Sequence, residues 1–216
     1  MKKLFLISVT CMALQYTGSA QNARLGITAG TVFSNYSISA EGITIKGKSR
    51  TGLTAGVLAD IPIGKSLSFQ PAVNFVQYGT TFEEVSGDYT ATDKVKINSI
   101  EIPLNVLYNL PAGKGRFFVG AGPSLSFHLS GKRNSYDSEN GNQPEVTLKF
   151  GSNADADMKS LNIGANFTAG YVFTNGLFIS ACFNAGLSNL EPDSEDASTK
   201  SHYFGIRIGF LLSGDK

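Results

Sequence analysis

The most restrictive feature of this chain is a two-residue alternation of apolar and small or polar side chains, held over runs long enough to cross a bilayer. It is clearest between Ser99 and Leu129, where two such runs flank a short turn, Pro111 to Gly115. In the second run Phe117, Val119, Ala121, Pro123, Leu125, Phe127 and Leu129 share one face, and Phe118, Gly120, Gly122, Ser124, Ser126 and His128 share the other. In the first, Ile100, Ile102, Leu104, Val106, Tyr108 and Leu110 oppose Glu101, Pro103, Asn105, Leu107 and Asn109. A strand in a soluble sandwich needs only about 5 or 6 residues, whereas a tilted strand crossing a membrane needs about 9 to 11. Both runs are long enough to span.

The same pattern recurs along the chain and predicts eight strands, near 24–34, 52–61, 67–76, 100–110, 117–129, 161–173, 177–188 and 203–212, in meander order. The apolar face carries no charged residue on any of them, as a lipid-facing surface requires: a charge at the midplane of a barrel costs about 2 to 4 kcal/mol. The opposite face is rich in Gly, Asn, Gln, Ser and Thr, which suits a narrow, wet interior. A soluble barrel would show the reverse arrangement. The connections Pro62–Lys65, Pro111–Gly115 and Thr174–Gly176 are short, while those around Glu41, Gly87, Gly141 and Asp193 are longer and polar, the asymmetry of an outer-membrane barrel. Tyr108, Phe117, Tyr171, Phe173 and Phe210 gather toward the short-turn rim, where a membrane interface favours aromatics. Pro71, Pro103 and Pro123 each remove a ladder donor, so local bulges are expected there. The fold class is therefore all-β, an eight-stranded antiparallel up-and-down transmembrane β-barrel.

The first twenty residues are of a different kind. Lys2 and Lys3 precede an apolar stretch, Leu4 to Leu14, too short for a membrane helix, and Gly18 and Ala20 fit the positions read by a signal peptidase. The expected organisation is a signal peptide at 1–20 and one barrel domain at 21–216. Loss of Lys2 and Lys3 leaves 16 of the 18 basic residues against 17 acidic ones, so the mature chain is nearly neutral and nucleic acid is not an expected partner. Cys11 leaves with the leader, and Cys182, alone thereafter, forms no internal disulfide and reads as a small inward-facing core residue.

The strings T-G-L-T-A-G-V-L-A-D-I-P-I-G (51–64), S-L-S-F-Q-P-A-V-N-F (66–75), I-E-I-P-L (100–104) and F-F-V-G-A-G-P-S-L (117–125) together resemble the PorT-like outer-membrane β-barrel family. The resemblance implies an eight-stranded barrel in the outer membrane of a Gram-negative cell, and it implies no active site. Ala72 stands where members often carry Glu after the Q-P pair, and Ser213-Gly-Asp-Lys216 departs from their usual terminal aromatic.

Few residues suggest chemistry. Ser126 and His128 share a face, but no acid is fixed by spacing and no nucleophile motif is present, so small polar fillers are the expectation over a lipid-modifying hydrolase. The other histidine, His202, falls by parity on the outward face. Glu101 and Arg207 both point inward and are expected to pair, as a structural plug rather than an ion-selective constriction, in a narrow lumen that eight strands leave just filled by side chains, so that steady conduction is not expected. The acidic loops 137–157 and 191–196 include Asp155-Ala-Asp157, yet no calcium-loop pattern, and solvated carboxylates are expected. Within the first of them Val146, Leu148 and Phe150 alternate, which predicts that the barrel wall continues there and offers an edge to a partner strand. The expected protein is not an enzyme and takes no cofactor or metal. Its expected partners are outer-membrane lipids and other envelope or secretion proteins, with oligomeric state left open. The alternatives are a small-solute porin and the hydrolase.

Overall fold

The computed structural model describes residues 23–153, 155–192 and 197–212. The leader expected at 1–20, the tip of the second acidic loop and the terminal Ser213-Gly-Asp-Lys216 lie outside these residues. Eight long strands form a ring: β1 (Arg24–Ala40), β3 (Lys48–Pro62), β4 (Leu67–Ser86), β5 (Tyr89–Ala112), β6 (Gly115–Asp137), β9 (Leu161–Val172), β10 (Leu177–Gly186) and β11 (Ala197–Leu211). Three short strands decorate one rim, β2 (Ile43–Lys46) on β1 and β7 (Gly141–Asn142) and β8 (Val146–Thr147) on β6. Each long strand pairs antiparallel with its neighbours, and β11 returns to β1 in unbroken register from Gly26↔Leu211 to Ala40↔Ala197. Closure leaves no strand edge in the wall, which is the condition for β-structure in hydrocarbon.

The two faces are sorted as membrane solvent demands. Leu25, Ile27, Leu53, Val57, Phe167, Ile179 and Ile208 stand exposed on the outside, while Asn74, Asn162, Asn166, Asn184 and Glu101 are all 1% exposed or less within. Near the short-turn rim Phe117, Tyr171 and Phe173 stack edge to face, with centroids 4.8 and 4.9 Å apart, and the Tyr171 hydroxyl donates to the Ala112 carbonyl at 2.8 Å.

Three expectations are corrected. The polar loop expected around Gly87 is a continuing hairpin: β4 and β5 stay paired to Ser86↔Tyr89 and reverse through Gly87, whose φ of 60° a glycine adopts without strain. The expected bulges at the prolines are absent, because losing one N–H interrupts hydrogen bonding without inserting a residue. Register passes unshifted through Pro71, Pro103 and Pro123 and shifts instead between Ser49 and Thr54 and between Asn98 and Ser99. Third, the lumen is not uniformly wet. Leu58, Leu107, Phe118, Val172, Phe178 and Leu211 fill it toward the short-turn rim, and Val32, Tyr36, Val76, Val95 and Ile97 fill it toward the long-loop rim. The inward glycines make room for these side chains: a Cβ on Gly209 would lie 2.2 Å from Phe178 Cζ, and one on Gly170 2.6 Å from Phe118 Cζ.

Candidate functional site

Between the two apolar layers lies a buried polar network built from four strands. Glu101 on β5 is fully enclosed, and both its oxygens are occupied. The Tyr78 hydroxyl of β4 donates to Oε2 at 2.9 Å, and the Tyr203 hydroxyl of β11 donates to Oε1 at 2.7 Å. Tyr203 in turn accepts a hydrogen bond from Arg207 at 2.9 Å, so the guanidinium meets the carboxylate mainly through this phenol, with a direct N···O separation of 3.8 Å. Ser126 lies 3.2 Å from the Tyr78 hydroxyl and 3.5 Å from Glu101. A charge taken from water is tolerable only when paired and hydrogen-bonded, and here opposite charges share one aromatic intermediary. Sequence parity gives the inward placement of Glu101 and Arg207. It gives no sign of Tyr78 or Tyr203 as their partners, since these come from separate strands.

Ser126 and His128 do not pair with each other. The His128 Nδ1 lies 2.7 Å from the Ser99 hydroxyl on β5, its ring packs against Tyr78 and Phe150, and its buried Nε2 has no partner. Ser99 was the residue missed: it faces inward by the same parity as Glu101, and only the β5–β6 register, with its shift after Asn98, sets it beside His128. His202, half-buried, lies opposite Asn35 and Ala185, and Cys182 is buried against Gly205.

A second ionic cluster seals the short-turn end. Asp60, fully buried on β3, binds Arg24 of β1 at 2.8 Å and Arg116 of β6, tying three strands across the mouth. Asp60 lies on the inner face of the alternation, yet both its partners come from the first residues of strands and were not singled out.

The long-loop end is closed by the chain itself. The segment from Val146 pairs with β6 at Arg133↔Val146 and Lys132↔Thr147, and the Leu148 amide still donates to the Gly131 carbonyl at 2.9 Å. The continuing wall expected there then turns inward, because Leu148 is buried in the upper apolar layer with Leu190, and Phe150 and Met158 pack against it. In the acidic loop Asp157 accepts the Lys149 amide at 2.8 Å, and Asp137 caps its own turn. Among the described residues no group of three or more His, Cys, Asp or Glu side chains is gathered to hold a metal ion, and no helix is long and apolar enough to cross a membrane.

A closed ring of eight strands with an apolar exterior and a packed, charge-paired interior defines an integral β-barrel protein of the Gram-negative outer membrane, surrounded by its lipids. The profile of the outer membrane protein beta-barrel domain matches residues 19–191, and the chain belongs to that family. No curated protein sequence matches it. Similar solved structures include Neisserial surface protein A, 13% identical, with 87% of this chain and 97% of that one covered and a TM-score of 0.45. They also include the attachment invasion locus protein Ail of Yersinia pestis in complex with the heparin analogue sucrose octasulfate, 14% identical, with 88% and 99% covered and a TM-score of 0.37. The outer membrane protease OmpT of Escherichia coli is a third, 9% identical, with 90% and 98% covered and a TM-score of 0.35. This last finding corrects the expectation that the chain is not an enzyme.

Proposed function

We propose that the protein is a PorT-like barrel, delivered by a signal peptide at 1–20, whose long-loop rim faces outward from the cell and makes contacts with other envelope or secretion proteins. The observation that carries this is the length of β4, β5 and β6, at 20, 24 and 23 residues, against the roughly 9 to 11 that a bilayer needs. The surplus forms a sheet standing beyond the membrane. Its β4 margin is paired with β3 only as far as Lys48↔Thr81, so that beyond Thr81 the described pairings of β4 are all with β5. Beside it Ile43, Ile45 and Val85 are exposed. Open edges and exposed apolar residues in water are what a partner strand covers.

The small-solute porin is disfavoured by the two apolar layers and the Glu101–Tyr203–Arg207 plug, which leave the eight-stranded lumen filled with side chains. The test is a photo-crosslinking side chain placed in living cells at Ile45 or Val85, with Ile27 on the lipid face as reference. Protein adducts are expected at the first two positions and lipid alone at the third. Protein adducts at none of them would overturn the contact reading.

A further inference from the structure

Along β4, β5 and β6 the outer face changes character in the same order toward the long-loop rim. Phe75, Ile100 and Phe127 lie side by side at the end of the apolar band. One step on, Gln77, Asn98 and Ser130 form a hydrogen-bonded row, the Gln77 amide donating to Asn98 at 3.3 Å and the Asn98 amide to Ser130 at 3.0 Å. The next row is Gly79, Lys96 and Lys132, and beyond it stand Thr81, Lys94 and Asn134. On β5 the apolar outer face occupies residues 100–110, which matches the roughly 9 to 11 residues that cross a bilayer. Exposed Lys96 and Lys94 therefore stand at the level of lipid headgroups.

A fourth cation is brought to the same place. The register shift between Ser49 and Thr54 leaves Arg50 without a partner on β4. Its side chain crosses the outer face of Gly79, where a Cβ would lie 2.7 Å from Arg50 Cδ, and donates to the Val95 carbonyl at 3.4 Å, beside Lys94 and Lys96. Lys96 and Lys132 face each other directly across the ladder, an arrangement in which like charges repel and destabilise the sheet. Lys132 is paired with Glu145, but among the described residues no carboxylate pairs with Arg50, Lys94 or Lys96. Where β11, β1 and β2 adjoin, by contrast, Lys200 and Lys46 are held apart by Ser37 between them.

We infer that Arg50, Lys94, Lys96 and Lys132 bind the phosphate of a glycolipid of the outer leaflet, whose acyl chains run down the wall past Phe75, Ile100 and Phe127. A phosphate supplies the counter-charge that the cluster lacks, and clustered arginine and lysine at a membrane surface recognise such headgroups. A sugar-bearing lipid fits because the row between apolar band and cations is made of two amides and a hydroxyl, which suit sugar hydroxyls and N-acyl groups better than the esters of a glycerophospholipid. This site rests on one element of the function proposed above, that the long-loop rim faces outward, and needs no protein partner there.

The test uses the full-length mature protein in phosphatidylcholine nanodiscs to which monophosphoryl lipid A is added, with retained lipid counted by native mass spectrometry. Lys94→Gln combined with Lys96→Gln is expected to weaken retention about thirtyfold, and Lys200→Gln to leave it unchanged. Equal retention by the double variant, or equal retention of lipid A stripped of its phosphate, would overturn the site. Phosphatidylglycerol held as tightly as lipid A would overturn the glycolipid as occupant. In a second arm Lys96→Gln is expected to raise the urea midpoint in phosphatidylcholine vesicles, by removing the repulsion from Lys132, and to lower it once lipid A is present. A shift of the same sign in both would overturn lipid binding by these cations. Retention in nanodiscs is blind to which way the barrel sits in the cell, so its failure is distinct from that of the outward rim. The rim is read separately by an impermeant maleimide on intact cells carrying Val85→Cys with Cys182→Ala: labelling is expected, and its absence would overturn the outward orientation.

Discussion

Glu101 shows how a barrel lumen holds a charge: two phenols occupy its oxygens, and the guanidinium it balances is reached through one of them. Breaking a buried pair by removing one partner typically costs about 3 to 5 kcal/mol, because the other charge is stranded. Arg207→Met is expected to destabilise the barrel by an amount of that order in urea unfolding from lipid vesicles. The double variant Glu101→Gln with Arg207→Met should recover part of the loss, since both charges are then gone. Strict additivity of the two single changes would show that the groups are not coupled. At this scale alternation alone assigns each side chain to a face, and it puts Glu101, Arg207, Ser126 and His128 inside. It says nothing of height in the lumen, on which the Ser99–His128 contact and the bridging by Tyr203 depend. Nor does it show how inward glycines are used. Gly209 reads as a small lining residue, yet a Cβ there would also lie 2.5 Å from the Ile27 carbonyl, besides its clash with Phe178. Gly209→Val is therefore expected to cost about 1 to 3 kcal/mol, read in the same unfolding experiment, by overpacking. An unchanged midpoint would mean that the Phe178 ring moves aside freely.

Among elements, the hairpins were the most legible, because turn chemistry and face alternation agree at each short connection. The long-loop rim was less so. Glu41 and Gly42 both have positive φ, 50° and 80°, and make a two-residue turn between β1 and β2, and the supposed loop at Gly87 is a hairpin tip. Polar composition marks such stretches as outside the membrane without deciding between loop and strand, since a sheet standing in water needs no apolar face toward lipid. The prolines misled for a related reason: a missing donor can be absorbed as an unmade bond as well as by a bulge. One rim turn is tied to protonation. The Asn140 amide donates to Asp137 Oδ1 at 2.6 Å, and with the Asn140 side chain, the Glu139 amide and Gln143 it holds the exposed Asp137 carboxyl below the usual carboxylate range. A carboxyl made more acidic by folding stabilises the turn above its unfolded pKa, about 3.9, and that contribution is lost as pH falls through the folded value. Exchange protection of the Asn140 amide should thus be constant at neutral pH and fall on acidification below about pH 4. Protection unchanged at pH 2 would remove the carboxylate from the role of cap.

For the whole molecule, strand number, order and orientation follow from a single physical requirement, that a chain in hydrocarbon must pair its backbone all the way round and turn its apolar side out. The sequence carries that requirement in eight alternating runs, which is why the architecture could be read from it. That eight strands leave a lumen just filled by side chains could be read as well, but the sorting of that filling into apolar layers could not, because Leu58, Leu107, Phe118 and Phe178 look like exceptions on a polar face until the barrel closes and sets them together. A lumen so filled should pass no steady current, and planar-bilayer recordings of the purified barrel are expected to show no stable open level. A large, reproducible unit conductance would require the apolar layers to part. The orientation of the wall is open to a direct test, because the expected mature chain has one cysteine, Cys182, to replace with alanine before labelling. Nitroxides are then attached one at a time at Ile27, Val57, Ile179 and Ile208 in lipid vesicles, and their collision rates with oxygen and with a polar nickel chelate are compared. Rates dominated by oxygen at all four positions are the expected result. Rates dominated by the nickel chelate would mean that this face meets water and that the barrel has been read inside out.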